Sequence, residues 1–222
     1  MNRRIGAIGM ALALAACSTG PSPSPKPACP TEAPTSVSAQ AALQGAAIAT
    51  VTVSGAVEGT FEIELLGDAA PIATANFVNL ARCGYYDGLT FHRVVAGFVI
   101  QAGDPGTRDN RGDFEGLGRG GPGYGFEIEP PAEGLRYDPY VVAMANNEVA
   151  NGGQFFIDLV DLDDALRRSG VYTIFGRVTS GTEVVDAIGA VPVNDPRSGV
   201  PLTPVVIDAI VISAAPTPSP DE

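Results

Sequence analysis

Phe91-His-Arg-Val-Val-Ala-Gly-Phe-Val-Ile-Gln-Ala-Gly-Asp-Pro105 contains two short apolar runs separated by Ala96-Gly97, and their reading decides the fold. Taken as one strand over Leu89 to Val95, alternation puts His92 on one face and Arg93 on the other with Phe91 and Val95. That sets a permanent charge beside apolar surface, an arrangement that costs free energy unless something there uses the charge. In the second run, Phe98 to Gln101, Val99 and Gln101 share a face. His92 is the single histidine of the chain, so two-histidine metal sites are excluded by counting, and no nucleophile, base and orienter can be assembled around it.

Upstream, Ala47 to Val53 alternates apolar with polar residues. Gly59 to Leu66 sets Phe61, Ile63 and Leu65 against Thr60, Glu62 and Glu64. Both patterns predict half-buried antiparallel strands joined through Ser54-Gly55. The period then changes: Ile72, Ala75, Asn76, Val78, Leu80 and Cys83 follow helical spacing, with Pro71 in the first turn and Gly84 as the stop. Downstream, further strands are expected over Tyr140 to Ala145, Gln154 to Leu159, Tyr172 to Val178 and Val205 to Ile212, with a second helix over Thr182 to Ile188. Gln154 and Phe156 share a face. Many short strands with two isolated helices argue for a closed antiparallel barrel or a sandwich, not for an alternating parallel sheet.

Several motifs invite other readings. Gly116-Leu-Gly-Arg-Gly-Gly121 fits a dinucleotide fingerprint by letter, but Pro122, Gly123 and Gly125 follow it where a helix N-terminus would have to receive a pyrophosphate, so it is read as a glycine-rich surface loop. Arg111-Gly-Asp113 carries little weight as a tripeptide in a polar loop. The acidic residues Asp158, Asp161, Asp163 and Asp164 lack calcium-loop spacing and are read as a solvated loop after a strand. With 25 acidic and 13 basic residues the net charge is −12, and no basic run is present to track a phosphate backbone. Nucleic acid is therefore not an expected partner.

The segment 91–105 closely resembles the signature of the cyclophilins, the barrel-shaped peptidyl-prolyl isomerases. Asn76-Phe-Val-Asn-Leu with Gly84-Tyr-Tyr-Asp-Gly-Leu-Thr is similar to that family's first helix and the turn after it. Gly118 to Gly125 is similar to its glycine-rich loop, Met144-Ala-Asn146 and Asn151-Gly-Gly-Gln-Phe-Phe-Ile157 to its two central strands. Phe175-Gly-Arg-Val and Gly181-Thr-Glu-Val-Val-Asp are similar to its closing strand and helix. The matches run in family order across residues 47–213.

The resemblance implies a mainly β fold, a closed eight-stranded antiparallel barrel capped by two helices near 70–83 and 182–188. It implies an X-Pro isomerase that needs no cofactor and no metal and acts on proline-containing polypeptides, with a monomer expected. Arg93 becomes the guanidinium donor toward the prolyl nitrogen, with Gln101 beside it as the second catalytic position. Phe98, Val99, Phe156 and Leu166 become the ring pocket. Ala145, Asn146 and Gln154 hold the substrate backbone, and Tyr172 stands where many eukaryotic members have histidine. Departures from the common pattern are Ala96 for Pro, Val99 for Met, Ala102 for Gly and Gly153 for Ser. They bear on substrate preference and leave the arginine in place. The alternative, from another class, is a binding module or chaperone that holds proline segments with little turnover.

The ends have a different composition. Nine of the 19 prolines lie either between Pro21 and Pro34 or between Pro216 and Pro220, so 17–46 is read as a Pro/Ser-rich tether and 214–222 as a disordered tail. Arg3 and Arg4 precede an apolar stretch, Ile5 to Ala16, too short to span a bilayer, so 1–16 is read as a signal peptide. Leu14-Ala-Ala-Cys17 resembles the lipobox of bacterial lipoproteins. It implies lipidation of Cys17, a membrane anchor and an extracytoplasmic location. Cys29 and Cys83 then remain, in a compartment that permits disulfides. A bridge between them and a separately buried Cys83 are both open from sequence.

Overall fold

The computed structural model describes residues 25–108, 118–147 and 150–215. The signal peptide, Cys17, the tripeptide 111–113, Gly116 of the loop motif and most of the tail lie outside the described residues. Eight strands and four α-helices follow in order: α1 (Ser36–Leu43), β1 (Ile48–Gly55), β2 (Gly59–Leu65), α2 (Pro71–Cys83), β3 (Arg93–Val95), β4 (Val99–Ala102), β5 (Val141–Asn146), β6 (Asn151–Asp158), α3 (Asp163–Ser169), β7 (Ile174–Ser180), α4 (Thr182–Gly189) and β8 (Val205–Ser213).

All strand pairs are antiparallel, in the order β3-β4-β6-β5-β7-β2-β1-β8. The two ends of this sheet meet. Gly88 N–H donates to Ile207 O at 2.7 Å, Phe91 N–H to Val205 O at 3.0 Å and Ile207 N–H to Leu89 O at 2.7 Å. These bonds close the sheet into the expected barrel and, among the described residues, leave no long open edge. Alternation fills the interior as the pattern of β2 predicts, with Phe61, Ile63 and Leu65 buried and Glu64 exposed. α2 covers the core by laying Phe77 against Phe175, Tyr86 and Phe155, at ring-centroid distances of 5.0, 5.2 and 5.6 Å. Gly84 ends that helix in the left-handed region (φ 78°), which a Cβ would disfavour.

The structure departs from the sequence expectations in four places. Leu89 to Val95 is not one strand: 88–91 pairs with β8, while Arg93–Val95 pairs with β4. The chain changes partner at His92, so Phe91 packs inside the barrel with Val94, and Arg93 keeps the outer face without it. The four aspartates are not one solvated loop: Asp158 is the buried end of β6, Asp161 lies exposed in the connection, and Asp163 and Asp164 form the first turn of α3, whose last turn carries Arg167 and Arg168, charges that complement the helix dipole. Part of the tether is structured: α1 is capped by a Thr35–Ser38 capping box and buries Ala39 and Ala42 against Ala75 of α2. Among the described residues four α-helices therefore replace the two expected. Finally, Tyr172 lies ahead of β7, whose first residue is Ile174.

The cysteine question is also closed. Cys29 and Cys83 form a disulfide across 54 positions of sequence. Around it Lys26 pairs with Asp87, and the Arg82 guanidinium donates to Ala42 O at 2.8 Å. The segment from Pro25 to Ala46 is thus fastened along α2, and the chain ahead of the domain is shorter than the composition of 17–46 suggests.

Candidate active site on the barrel wall

The outer face of the wall carries a second apolar cluster, separate from the barrel interior. Val99, Phe156 and Leu166 are buried in it, and Phe98, Ala145 and Tyr172 are half-buried against it. The register explains why residues far apart in sequence meet there. Arg93 of β3 pairs with Gln101 of β4, and Gln101 pairs with Phe156 of β6, so three neighbouring strands present three side chains in a row. The Arg93 guanidinium lies over the Phe98 ring, 5.7 Å from its centroid. Burial pulls the arginine below its ordinary pKa, with Tyr172 pushing the other way. A guanidinium is not deprotonated in proteins, so the group keeps its charge and its donors.

The amides beside Arg93 form a chain. Gln101 Nε2 donates to Gln154 Oε1 at 2.9 Å, and Gln154 Nε2 donates to Gly120 O at 2.7 Å. Gln101 therefore spends a donor on Gln154 and turns its own Oε1 away from it. A register shift between Met144 and Asn146 breaks the β5–β6 ladder at Ala145, and bulges of this kind re-aim side chains beside functional sites. Asn146 Nδ2 donates to Val171 O at 2.8 Å, tying the end of β5 to the segment that carries Tyr172. The Tyr172 ring stands edge-on to Phe156 with centroids 5.4 Å apart. Leu166 reaches this cluster from α3, a helix that was not expected. Gln101, Gly120, Ala145, Asn146 and Gln154 also line an adjoining cavity of about 610 Å³.

Thus every site residue expected within the described chain lies on this patch: Arg93, Gln101, Phe98, Val99, Ala145, Asn146, Gln154, Phe156, Leu166 and Tyr172. Asp104 is a supporting residue that the sequence reading missed. Only 2% exposed, it accepts Gly106 N–H on Oδ1 at 2.8 Å, and Gly118 and Gly120 N–H on Oδ2 at 2.6 and 3.0 Å, fixing the glycine-rich loop whose carbonyl holds Gln154. Its position ahead of Pro105 was the available signal, because a short side chain there can cap the following turn. His92 lies under this region, 4% exposed, with both ring nitrogens unpartnered. Burial pushes its pKa down to about 4 against the opposing pull of Asp104, so the ring is neutral at physiological pH. Gly153 is required by packing: a Cβ there would come within 2.8 Å of the Tyr85 hydroxyl. Among the described residues no group of three or more His, Cys, Asp or Glu side chains could hold a metal ion.

A closed antiparallel barrel whose outer wall sets a half-buried guanidinium over an apolar pocket defines a class, and comparison with known proteins supplies the same one. Residues 48–212 match the family model for the cyclophilin type peptidyl-prolyl cis-trans isomerases. The chain is 41% identical over 172 residues to peptidyl-prolyl cis-trans isomerase B of Streptomyces anulatus, covering 69% of this chain and 91% of that protein. It is 42% identical over 176 residues to peptidyl-prolyl cis-trans isomerase A of Mycobacterium tuberculosis, covering 70% of this chain and 87% of that one. A cyclophilin type isomerase of Cryptosporidium parvum, crystallised in the presence of the dipeptide Ala-Pro, superposes with a TM-score of 0.63 at 30% identity, covering 75% of this chain and 99% of that structure. The chain belongs to the cyclophilin family, and it is an isomerase of X-Pro peptide bonds.

Proposed function

We propose that this isomerase works outside the cytoplasm, held to a membrane through a lipid on Cys17, and that it turns over X-Pro bonds of proteins folding there. The observation that carries the site assignment is the row Arg93, Gln101, Phe156 on three adjacent strands, standing over an apolar cluster that has no part in the barrel core. Rotation about an X-Pro bond faces a barrier of ~18–20 kcal/mol, because the amide loses resonance at the twisted midpoint. No covalent bond breaks, so the protein needs only to favour the twisted form. In this reading the proline ring sits on Phe98, Val99, Phe156 and Leu166 with Tyr172 as a wall. The substrate backbone is held by Gln101, Ala145, Asn146 and Gln154. Arg93 donates to the prolyl nitrogen, whose lone pair becomes a good acceptor only when the amide is twisted, so the bond strengthens where the barrier is highest.

The disulfide supports an oxidising compartment, since such bridges persist outside the cytoplasm. Among the described residues no helix is long and apolar enough to cross a membrane; in this reading the lipid on Cys17 is the anchor. The domain acts as a monomer on proline-containing chains near the membrane. The test is a protease-free isomerisation assay on a proline peptide. Arg93→Ala is expected to lower kcat/KM by about 10²–10³-fold, the scale of one lost transition-state donor, with a smaller loss of peptide binding. Equal rates for wild type and variant would leave the alternative, a proline-segment binding module with little turnover.

A further inference from the structure

Tyr137 lies between the glycine-rich loop and β5, on no regular element, yet it is only 1% exposed. Its hydroxyl is used twice by one neighbour. It donates to Tyr172 O at 2.9 Å and accepts Tyr172 N–H at 3.1 Å. Tyr172 stands in the connection between α3 and β7, where no ladder partner is provided, so a single side-chain atom serves both of its backbone groups. The Tyr172 ring, carried on that backbone, meets Phe156 edge-on at 5.4 Å and Tyr137 itself at 6.5 Å.

Tyr137 is in turn held from α3. Its N–H donates to Asp163 Oδ1 at 3.2 Å, and its carbonyl accepts Leu162 N–H at 2.8 Å. Asp163 is 8% exposed and also takes Arg167 Nε at 2.9 Å, while the Arg167 guanidinium lies 5.7 Å from the centre of the Tyr137 ring. A continuous path of contacts therefore runs from the first turn of α3 through one phenol to the wall of the apolar pocket.

We propose that Tyr137 is a positioning residue for X-Pro isomerisation: its hydroxyl fixes the backbone of Tyr172 and so the wall against which the proline ring rests. This inference depends on Tyr172 lining the proline pocket as proposed above. Tyr172 would touch the ring and not the rotating bond, so its contact is the same in planar and twisted amides. Loosening it removes binding that the ground and transition states share, which raises KM and leaves kcat unchanged.

The test is a double-mutant cycle on the full chain, with kcat and KM measured on a proline peptide without a coupling protease. Tyr137→Phe keeps the ring and removes the hydroxyl, and is expected to raise KM about fivefold or more with kcat within about twofold, the scale of lost buried hydrogen bonds. Tyr172→Ala is expected to raise KM at least as much. Adding Tyr137→Phe to Tyr172→Ala should then change nothing further, because no ring remains to be positioned. Should Tyr137→Phe fold poorly, Asp163→Asn keeps the phenol and loosens its support, and is expected to raise KM alone by a smaller factor. Wild-type KM in Tyr137→Phe, a drop confined to kcat, or losses that multiply in the double variant would overturn the proposal. Wild-type KM in Tyr172→Ala would instead overturn the placement of Tyr172 in the pocket, while loss of turnover in Arg93→Ala would still stand.

Discussion

Asp158→Asn tests the electrostatics of the barrel wall. Asp158 ends β6 opposite Val99 of the pocket, is 0% exposed, and has no hydrogen-bond partner on either carboxylate oxygen. Burial, reinforced by Asp138 and Asp161, pushes its pKa from 3.8 up to about 8. In the unfolded chain the group ionises near its ordinary value. Between these two pKa values the folded state holds a proton that the unfolded state has released, so stability falls as pH rises through the window and levels off above it. At ~1.4 kcal/mol per pKa unit, the full shift sets a ceiling of about 5–6 kcal/mol on that loss. A charged Asp158 can turn or draw in water, so about 2–4 kcal/mol is the expected share. Asparagine keeps the shape and carries no charge. Urea unfolding of wild type and Asp158→Asn should give similar stabilities near pH 4, where Asp158 is protonated in the fold and only partly ionised in the unfolded chain, and a variant more stable by that amount at about pH 8.5. Other titrating groups are common to both proteins and cancel. If the difference between them does not grow with pH, Asp158 is ionised in the fold and the reasoning fails.

The remaining predictions concern the N-terminal segment and one packing contact. Cys83→Ser should cost about 4 kcal/mol, the loop-closure estimate for a bridge spanning 54 positions, and reduction of the wild type should cost the same; an unchanged urea midpoint would refute this. Intact-mass analysis should find the mature chain starting at a lipid-modified Cys17 and partitioning into detergent, with Cys17→Ser unlipidated; an unmodified N-terminus elsewhere would remove the anchor and leave the isomerase untouched. Gly153→Ala should destabilise by about 1–3 kcal/mol, because the new Cβ meets the Tyr85 ring, and Gly153→Ala,Tyr85→Phe should recover little of that, since Tyr85 Cε1 lies only 2.9 Å from the Cβ position.

The sequence alone carried the local structure wherever one period ran unbroken. The alternation of β2 and the helical spacing from Pro71 to Cys83 fix a buried face by short-range geometry alone. The parity of Val99 with Gln101 and of Gln154 with Phe156 likewise needed no tertiary information. The resemblance to cyclophilins then supplied the order of the pieces and the site residues. Other features were hidden. α1 has too few apolar residues to advertise a helix, since only Ala39 and Ala42 are buried, and its sole signal is the Thr35–Ser38 capping box. α3 was concealed by its acidic first turn, because a run of aspartates has the same composition in a solvated loop and at a helix N-terminus.

What only the tertiary structure decided is pairing. The strand proposed through His92 breaks because 88–91 finds β8 and 93–95 finds β4, and no property of the heptapeptide Leu89 to Val95 says that its halves have different partners. The union of Cys29 with Cys83, the two hydrogen bonds that the Tyr137 hydroxyl makes with the Tyr172 backbone and the isolation of the Asp158 carboxylate are of the same kind. Periodicity records which way a side chain points relative to its neighbours in the chain. What it points at depends on contacts separated by tens of residues, and these form only when the barrel closes.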